Sequence, residues 1–394
     1  MALQQLEMDI LVPGKSLDFD VVDASGRILL PKGAPIADQA QAKILWTRGF
    51  QSDVVVMASI SQPPPSSSWR QTPTSGERPS SVPKFFQSVE RLSFQLAEIY
   101  SELLNGKGIH LPERILEVAR SIQTQLVRDT DALLAAVELS TNTRYGTLHA
   151  LHSAVLCDLV ATSQGISADN RRTLVAAALT RDVGFLELQD ELDRQSDPLS
   201  QDQQDQVRTH PLASAQLLRQ AGVCDEAWLA AVEQHHERLN GSGYPRGLLG
   251  AQVESHACLL GIADIFSAMT KPRVYRPAIQ GPNAIHSIFQ TRGSLVDEAS
   301  TQSFIRTLGV YTPGLLVRLA NREIGVVVRR TENLKVPEVR VVADSDDKLL
   351  QIYPARDVSD PAYAILELLP RSNSLRERLN YRQLWGEGHA AVRR

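Results

Sequence analysis

Along the 394-residue chain the spacing of apolar positions changes three times, and each change predicts a different kind of structure. In residues 1–60 the apolar runs are short and broken by turn formers. Asp20 to Lys32 reads as strand, Asp-Ala-Ser-Gly turn, strand; Ala40 to Trp46 reads as one helix before Gly49, and Asp53 to Met57 as a further strand. Residues 61–83 carry Pro63, Pro64 and Pro65, then Ser66 to Ser68, then Pro73, Pro79 and Pro83, and offer too little apolar surface to fold, so they read as a disordered linker. From Lys84 the period becomes helical. Phe85, Phe86, Val89, Leu92, Leu96, Ile99 and Tyr100 mark one helix. A second starts at Leu111-Pro112, with proline in its first turn and a stripe through Ile115, Val118, Ile122, Leu126, Leu133 and Val137. These helices (84–138) read as a connector that packs in a core, with a stalk or dimer interface as the alternatives.

The next stretch, 139–310, reads as a bundle whose helices each carry one or two histidines or aspartates. Tyr145 to Ala161 holds His149, His152 and Ser153. Leu174 to Leu179 runs into Thr180-Arg181-Asp182-Val183-Gly184-Phe185, and Gln189 to Gln206 reads as a polar loop before Val207-Arg208-Thr209-His210-Pro211. Trp228 to Glu237 and His256 to Met269, which carries Asp264, are further helices, and Arg273-Val274-Tyr275-Arg276 follows the second. Metal sites inside bundles are built from side chains on facing helices. From Tyr311 the period shortens to two. Leu315 to Leu319, Ile324 to Arg329 and Val339 to Ala343, with turns at Asn321 and Asn333, predict a hairpin or meander; residues 370–394 read as a charged tail, frayed at its end.

Composition narrows the picture. Apolar residues make up 43% and charged residues 22% of the chain, and the net charge is −4, which suits a sizeable core and excludes a basic nucleic-acid footprint. Cys157, Cys224 and Cys258 are odd in number and far apart, so they predict buried thiols in a reducing cytoplasm rather than disulfides. The N-terminus lacks the features of a secretory leader, and no apolar run reaches the ~18 residues of a membrane span.

The most informative stretch is His235 to Leu248, His-His-Glu-Arg-Leu-Asn-Gly-Ser-Gly-Tyr-Pro-Arg-Gly-Leu. A helix gives way there to a loop that neither helix nor central strand tolerates. Within a helix two neighbouring histidines point about 100° apart. At a helix end the turning backbone lets both face one ion.

This stretch resembles the signature of the HD-GYP family, a branch of the HD-domain metal-dependent phosphohydrolases whose members hydrolyse the bacterial second messenger cyclic di-GMP. The resemblance covers roughly residues 130–330. It implies a mainly α fold, an HD-type helical bundle, here with a small β-rich N-terminal module suited to docking and a small C-terminal β extension over 311–394. It also implies two metals bridged by a carboxylate, which supply a nucleophile at neutral pH and stabilise the phosphodiester's developing charge. Imidazole with carboxylate suits iron or manganese. By the resemblance, Asp182 is the bridging and catalytic aspartate. His152 and Asp264 belong to the first metal; His210, His235 and His236 belong to the second. Arg273 and Arg276 hold phosphates, and Gly241, Gly243, Tyr244 and Pro245 form the loop that names the family. His149, His256 and His286 match no role and read as surface or core histidines.

The sequence departs from the pattern where the chemistry lies. Arg181 stands in place of the histidine of the His-Asp pair, and a guanidinium stays protonated and ligates no metal. Phe185 replaces a lysine. Leu148 stands where members with a third metal have a glutamate, four residues before His152. Asn240 replaces the loop aspartate, and Arg194 or Gln195 falls near a further absent lysine. The second site is thus complete and the first is reduced, which predicts one divalent metal rather than two or three, with a metal-free Arg181–Asp182 ion pair as the alternative. The reading that follows is a cyclic di-GMP signalling protein with a degenerate site, binding and regulatory with weak or no hydrolysis. Its alternative is an active phosphodiesterase giving the linear dinucleotide or GMP. A protein partner at the Gly-Tyr-Pro loop or the N-terminal module, and a homodimer, are compatible with either.

Overall fold

Phase changes in the hydrophobic pattern become chain turns in the structure, a computed structural model that describes residues 4–6, 10–22, 28–30, 32–48, 50–52, 84–106, 110–140, 145–192, 194–195, 197–270, 279, 281–369 and 375–385. The chain divides into two units, residues 1–83 and 84–394. In the first, β1 (Gln4–Gln5), β2 (Asp20–Val22) and β3 (Ile28–Leu30) precede α1 (Gln39–Arg48) and β4 (Phe50–Ser52). The sheet is antiparallel in the order β1-β4-β2-β3, so the expected hairpin of β2 and β3 is present. Val21, Leu30, Ile36, Leu45 and Trp46 are among the unit's buried side chains. The strand expected at Asp53 to Met57 and the linker expected at 61–83 lie outside the described residues.

The second unit is mainly helical. It begins with α2 (Lys84–Leu104), α3 (Leu111–Arg128) and α4 (Thr130–Leu139), which pack on α5 (Tyr145–Ser163) and α6 (Ala168–Thr180) and so share one unit with the bundle. Then come α7 (Leu186–Leu192), α8 (Gln201–Gln220), α9 (Glu226–Gln234), α10 (Ser255–Thr270), α11 (Gly281–Gln290) and α12 (Glu298–Leu308). Helix starts follow local chemistry. Asp129, Ser167, Ser200, Asp225 and Asp297 each accept a backbone N–H of the first turn, and Ser200 with Gln203 completes a capping box. The stretch expected as a polar loop, Gln189 to Gln206, instead holds the end of α7, with Leu188 and Leu192 buried, and the start of α8. Two apolar residues one turn apart were enough to seat a short helix that a polar composition hid.

The C-terminal strands extend further than a meander of three. β5 (Leu316–Leu319), β6 (Ile324–Arg329), β7 (Glu338–Ala343), β8 (Ala355–Arg356) and β9 (Ile365–Leu368) form an antiparallel sheet in the order β8-β7-β6-β5-β9. Val317, Leu319, Val327, Val339 and Val341 form its core. Arg329 grips both carboxylate oxygens of Asp129 (3.2 and 2.9 Å), the residue that also caps α4. Part of the expected charged tail is structured. In α13 (Tyr381–Trp385) the Tyr381 ring stacks on Phe86 of α2 at 4.4 Å, and Trp385 Nε1 donates to Val328 O at 3.0 Å. Residues 386–394 lie outside the described residues.

Trp385 is buried between helix and sheet. Trp385→Ala is expected to destabilise the second unit by about 3–5 kcal/mol. Urea denaturation followed by far-UV circular dichroism checks this, and an unchanged midpoint would mean that the tail helix unfolds independently.

Candidate metal centre

Five helix ends and faces meet at Asp182. The turn after α6 carries Arg181 and Asp182, and it lies against α8 because Gly184 has no side chain: a Cβ there would stand 2.7 Å from Ser214 N. Gly184 N donates to Ser214 Oγ at 3.0 Å, which fixes the approach. Ser214 lies one helical turn beyond His210 on α8, so the same contact brings His210 to the aspartate.

The tautomers of two histidines follow from orphaned carbonyls. Pro211 has no N–H to give to Val207 O, its partner four residues back. His210 Nδ1 takes that carbonyl instead, at 2.7 Å. At the end of α9 Val232 O is likewise left without a helical donor, and His235 Nδ1 takes it at 2.7 Å. A carbonyl only accepts, so Nδ1 carries a proton in both rings, and in the neutral form that ligates a metal each Nε2 presents a lone pair. Those two Nε2 atoms lie 3.3 and 3.7 Å from Asp182 Oδ1, are buried and make no aligned hydrogen bond. Lone pairs facing a carboxylate repel unless a cation lies among them. His236 joins His210 and His235 in a group whose ring nitrogens lie within 4.8 Å of one another. Three imidazoles and one carboxylate oxygen therefore fit a divalent metal.

The other oxygen of Asp182 faces a different cation. Arg181 has no exposed surface (0%). Its Nη2 lies 3.3 Å from Asp182 Oδ2 and 2.8 Å from Asp264 Oδ1, its Nε donates to Asp264 Oδ1 at 3.0 Å, and its Nη1 donates to Ala178 O at 2.7 Å. His149 Nε2 also reaches Asp264 Oδ1, at 2.9 Å, while its Nδ1 meets Ser267 Oγ at 2.9 Å. A hydroxyl can donate or accept, so His149 is free to carry its proton on Nε2 and give it to Asp264. Asp264 Oδ1 then accepts from Arg181 Nε and His149 Nε2, with Arg181 Nη2 beside it as an ion-pair contact.

Charge states follow from burial and neighbours. Burial alone would raise both carboxyls, but the Arg181 guanidinium holds Asp182 and Asp264 well below the usual carboxylate range. Burial, reinforced by Arg181, lowers His149; burial holds His236 well below its usual value. Burial would lower Arg181, and the two aspartates outweigh it, so the arginine stays charged.

The structure puts His149, rather than His152, beside Asp182 and Asp264. His152 lies edge-on to the Phe266 ring, 6.1 Å away. The residues are three apart on a helix buried on nearly all sides, so no polar face showed which one points at the site. Counted from His149, the residue one turn earlier is Tyr145, whose ring stacks on the imidazole at 5.3 Å; it offers no carboxylate, and neither does Leu148. Phe185 packs 4.9 Å from the His210 ring. Asn240 Oδ1 accepts from Ser242 N and Oγ in an exposed turn, away from the donors. Gln195 spends both ends of its amide on Gln203, Asp197 O and Pro198 O, which shapes a loop. Arg273 and Arg276 lie outside the described residues.

The Glu of the His-His-Glu run does not ligate: Glu237 Oε1 accepts from Arg246 N at 2.7 Å and Oε2 from Leu248 N at 2.9 Å, stapling the loop. Gly243 sits against that staple, where a Cβ would stand 2.3 Å from Arg238 N. The loop so held lays Tyr244 over His236, with ring centroids 4.6 Å apart. Pro245 follows through a cis peptide. A cavity of about 470 Å³ opens above the donors. His149, Asp182, His210, His236, Tyr244 and Asp264 line it together with the apolar Phe185, Leu192, Pro198, Leu199 and Val207.

Parts of the chain are similar in sequence to known proteins. Residues 137–299 match the family described as HD domain. A cyclic di-GMP phosphodiesterase of Pseudomonas aeruginosa is 26% identical over 66% of this chain and 62% of its own length. A cyclic di-GMP phosphodiesterase response regulator of Xanthomonas campestris is 26% identical over 52% of this chain and 54% of its own. A 3'3'-cGAMP-specific phosphodiesterase of Vibrio cholerae is 32% identical over 37% of this chain and 33% of its own. The chain thus spans less than two thirds of the length of these relatives.

Two outcomes are expected. Gly243→Ala forces backbone against backbone, so it should cost about 1–3 kcal/mol and weaken metal uptake by moving Tyr244 and His236; a melting curve with and without Mn²⁺ checks both. The metal-free protein should lose stability as pH falls below about 6.5. Unfolded histidines protonate there, whereas His149 and His236 stay neutral in the fold. The unfolded state then binds more protons and gains. Denaturant midpoints at two pH values spanning that range test the sign.

Proposed function

Because the chain belongs to the HD-GYP family, we propose that it is a cyclic di-GMP signalling protein that holds one divalent metal and binds the dinucleotide with weak or no hydrolysis. The observation that carries this reading is the division of Asp182. Its Oδ1 faces His210 and His235, with His236 beside them, and its Oδ2 faces the guanidinium of Arg181. Arg181 supplies the charge of a first metal but offers no coordination position, because a guanidinium only donates hydrogen bonds.

His210, His235, His236 and Asp182 would hold the ion, with iron or manganese the expected occupant. When bound, such a cation supplies Lewis acidity toward a phosphoryl oxygen and lowers the pKa of water. The chain's own residues do the remaining work. Val207 O and Val232 O keep two imidazoles in the ligating tautomer. Tyr244 packs over His236. The apolar wall of the cavity, which is of ordinary ligand-binding size, suits the bases of a dinucleotide. Among the described residues no lysine or arginine lines that cavity. Phosphate charge is therefore assigned to Arg273 and Arg276, and to Arg208, whose guanidinium lies 5.9 Å over the Tyr244 ring. Three free cysteines suit a reducing cytoplasm, and among the described residues no helix is long and apolar enough to cross a membrane.

The second reading is an active phosphodiesterase giving the linear dinucleotide or GMP. It is favoured by the four second-site donors standing together. Turnover of cyclic di-GMP, and of 3'3'-cGAMP because one relative is named for it, separates the readings when the protein is supplied anaerobically with Fe²⁺ or Mn²⁺ and products are read by chromatography. Product that vanishes in Asp182→Ala supports the enzyme. Retained dinucleotide binding without product supports the receptor. Neither product nor binding leaves a protein-interaction scaffold, with the Gly-Tyr-Pro loop or the N-terminal module as its contact.

Metal analysis after dialysis should give about one ion per chain, and Arg181→His with Phe185→Lys should raise affinity for a second ion about 10–100-fold. A double variant that still binds one ion and turns nothing over would sink the account that these two positions alone closed the first site.

A further inference from the structure

We propose that Tyr100, on α2 and outside the stretch matched to the HD domain, is a positioning residue of the metal centre: its phenol pins the turn that presents Arg181 and Asp182. The proposal deepens the one-metal reading above and rests on it. Tyr100 is buried, and its hydroxyl donates to Leu179 O. Leu179 lies in the last turn of α6, where carbonyls have no helical donor. Burial pushes the phenol above its usual pKa, so it remains a donor throughout the working pH range.

Side chains of three helices bond the turn. Trp228 Nε1 donates to Thr180 Oγ1 at 2.7 Å from α9, the helix that ends at His235. Gly184 N donates to Ser214 Oγ at 3.0 Å on α8, the helix of His210. Those two contacts tie the turn to the helices that bring metal donors. Tyr100 is the third and comes from α2, which carries none of the donors grouped there. Without it the segment could pivot on the other two contacts, and Asp182 Oδ1, now 3.3 Å from His210 Nε2, would lose its register with the imidazoles.

The test compares Tyr100→Phe with Tyr381→Phe in the full chain. Tyr381 also donates its hydroxyl to a backbone carbonyl, Arg376 O at 2.9 Å, but in the C-terminal tail. Mn²⁺ affinity is read by electron paramagnetic resonance titration, and hydrogen–deuterium exchange is followed in peptides covering residues 179–185. Tyr100→Phe is expected to weaken Mn²⁺ binding about tenfold and to speed exchange of those amides, while Tyr381→Phe changes neither. If both variants melt lower and both bind Mn²⁺ as the parent does, the role of Tyr100 is structural only and the proposal is overturned. Should Tyr100→Phe fail to fold, the parent protein made with 3-fluorotyrosine gives a second reading: a Tyr100 fluorine resonance that ignores added Zn²⁺ overturns the proposal, and one that shifts supports it. If the parent takes up no metal, the one-metal reading fails by itself, and the exchange comparison still decides whether Tyr100 pins the turn.

Discussion

A guanidinium removed entirely from water must be met by carboxylates, because an uncompensated buried charge costs several kcal/mol. Arg181 is in that position, and its charge is met by Asp264 and Asp182. The pairing draws α6 and α10 together at the middle of the bundle and fixes the ionisation of both aspartates. It also leaves Asp182 with one oxygen committed to the arginine and one available to the histidines. A metal bridged by Asp182 on both sides would compete with the guanidinium for Oδ2. The ion pair thus sets the composition of the centre and contributes to the core around it.

The other half of the centre depends on hydrogen-bond bookkeeping in the backbone. A proline inside α8 and the end of α9 each release a carbonyl, and a histidine takes each one. The same chemistry that satisfies an orphan acceptor turns two Nε2 lone pairs inward. His149 shows the contrast. Its Nδ1 meets a hydroxyl, which imposes no tautomer, and its Nε2 serves Asp264. Two histidines are prepared to ligate and one to donate, by the nature of the atom behind the ring.

The loop after α9 has a structural logic separate from ligation. Glu237 holds two backbone N–H groups of the loop, and Gly243 lets the chain pass against the peptide of Glu237 and Arg238 without a side chain. The outcome is the placement of Tyr244 beside His236 at the cavity edge. Farther out, Arg329 and Trp385 fasten the C-terminal sheet to the helices, so the extension is part of the same unit as the centre.

Periodicity and turn chemistry by themselves determined the helical middle, the strands from Tyr311 onward and the order of His210, His235, His236 and Asp264 along the chain. The resemblance of the stretch from His235 to Leu248 to the HD-GYP signature exposed the substitution of Arg181, since charge and ligand chemistry belong to residue type and need no coordinates. Tertiary structure decided what residue type leaves open. It selected His149 over His152, because a helix buried on almost every side has no amphipathic face to read. It assigned Glu237 to the backbone rather than to a metal, aimed Arg181 inward between two carboxylates, folded α13 from a stretch that looked like a charged tail, and carried Tyr100 from a distant helix to the turn of Asp182. Each of these depends on contacts between residues far apart in sequence, and spacing along the chain carries no information about which of two neighbouring side chains meets a partner across the core.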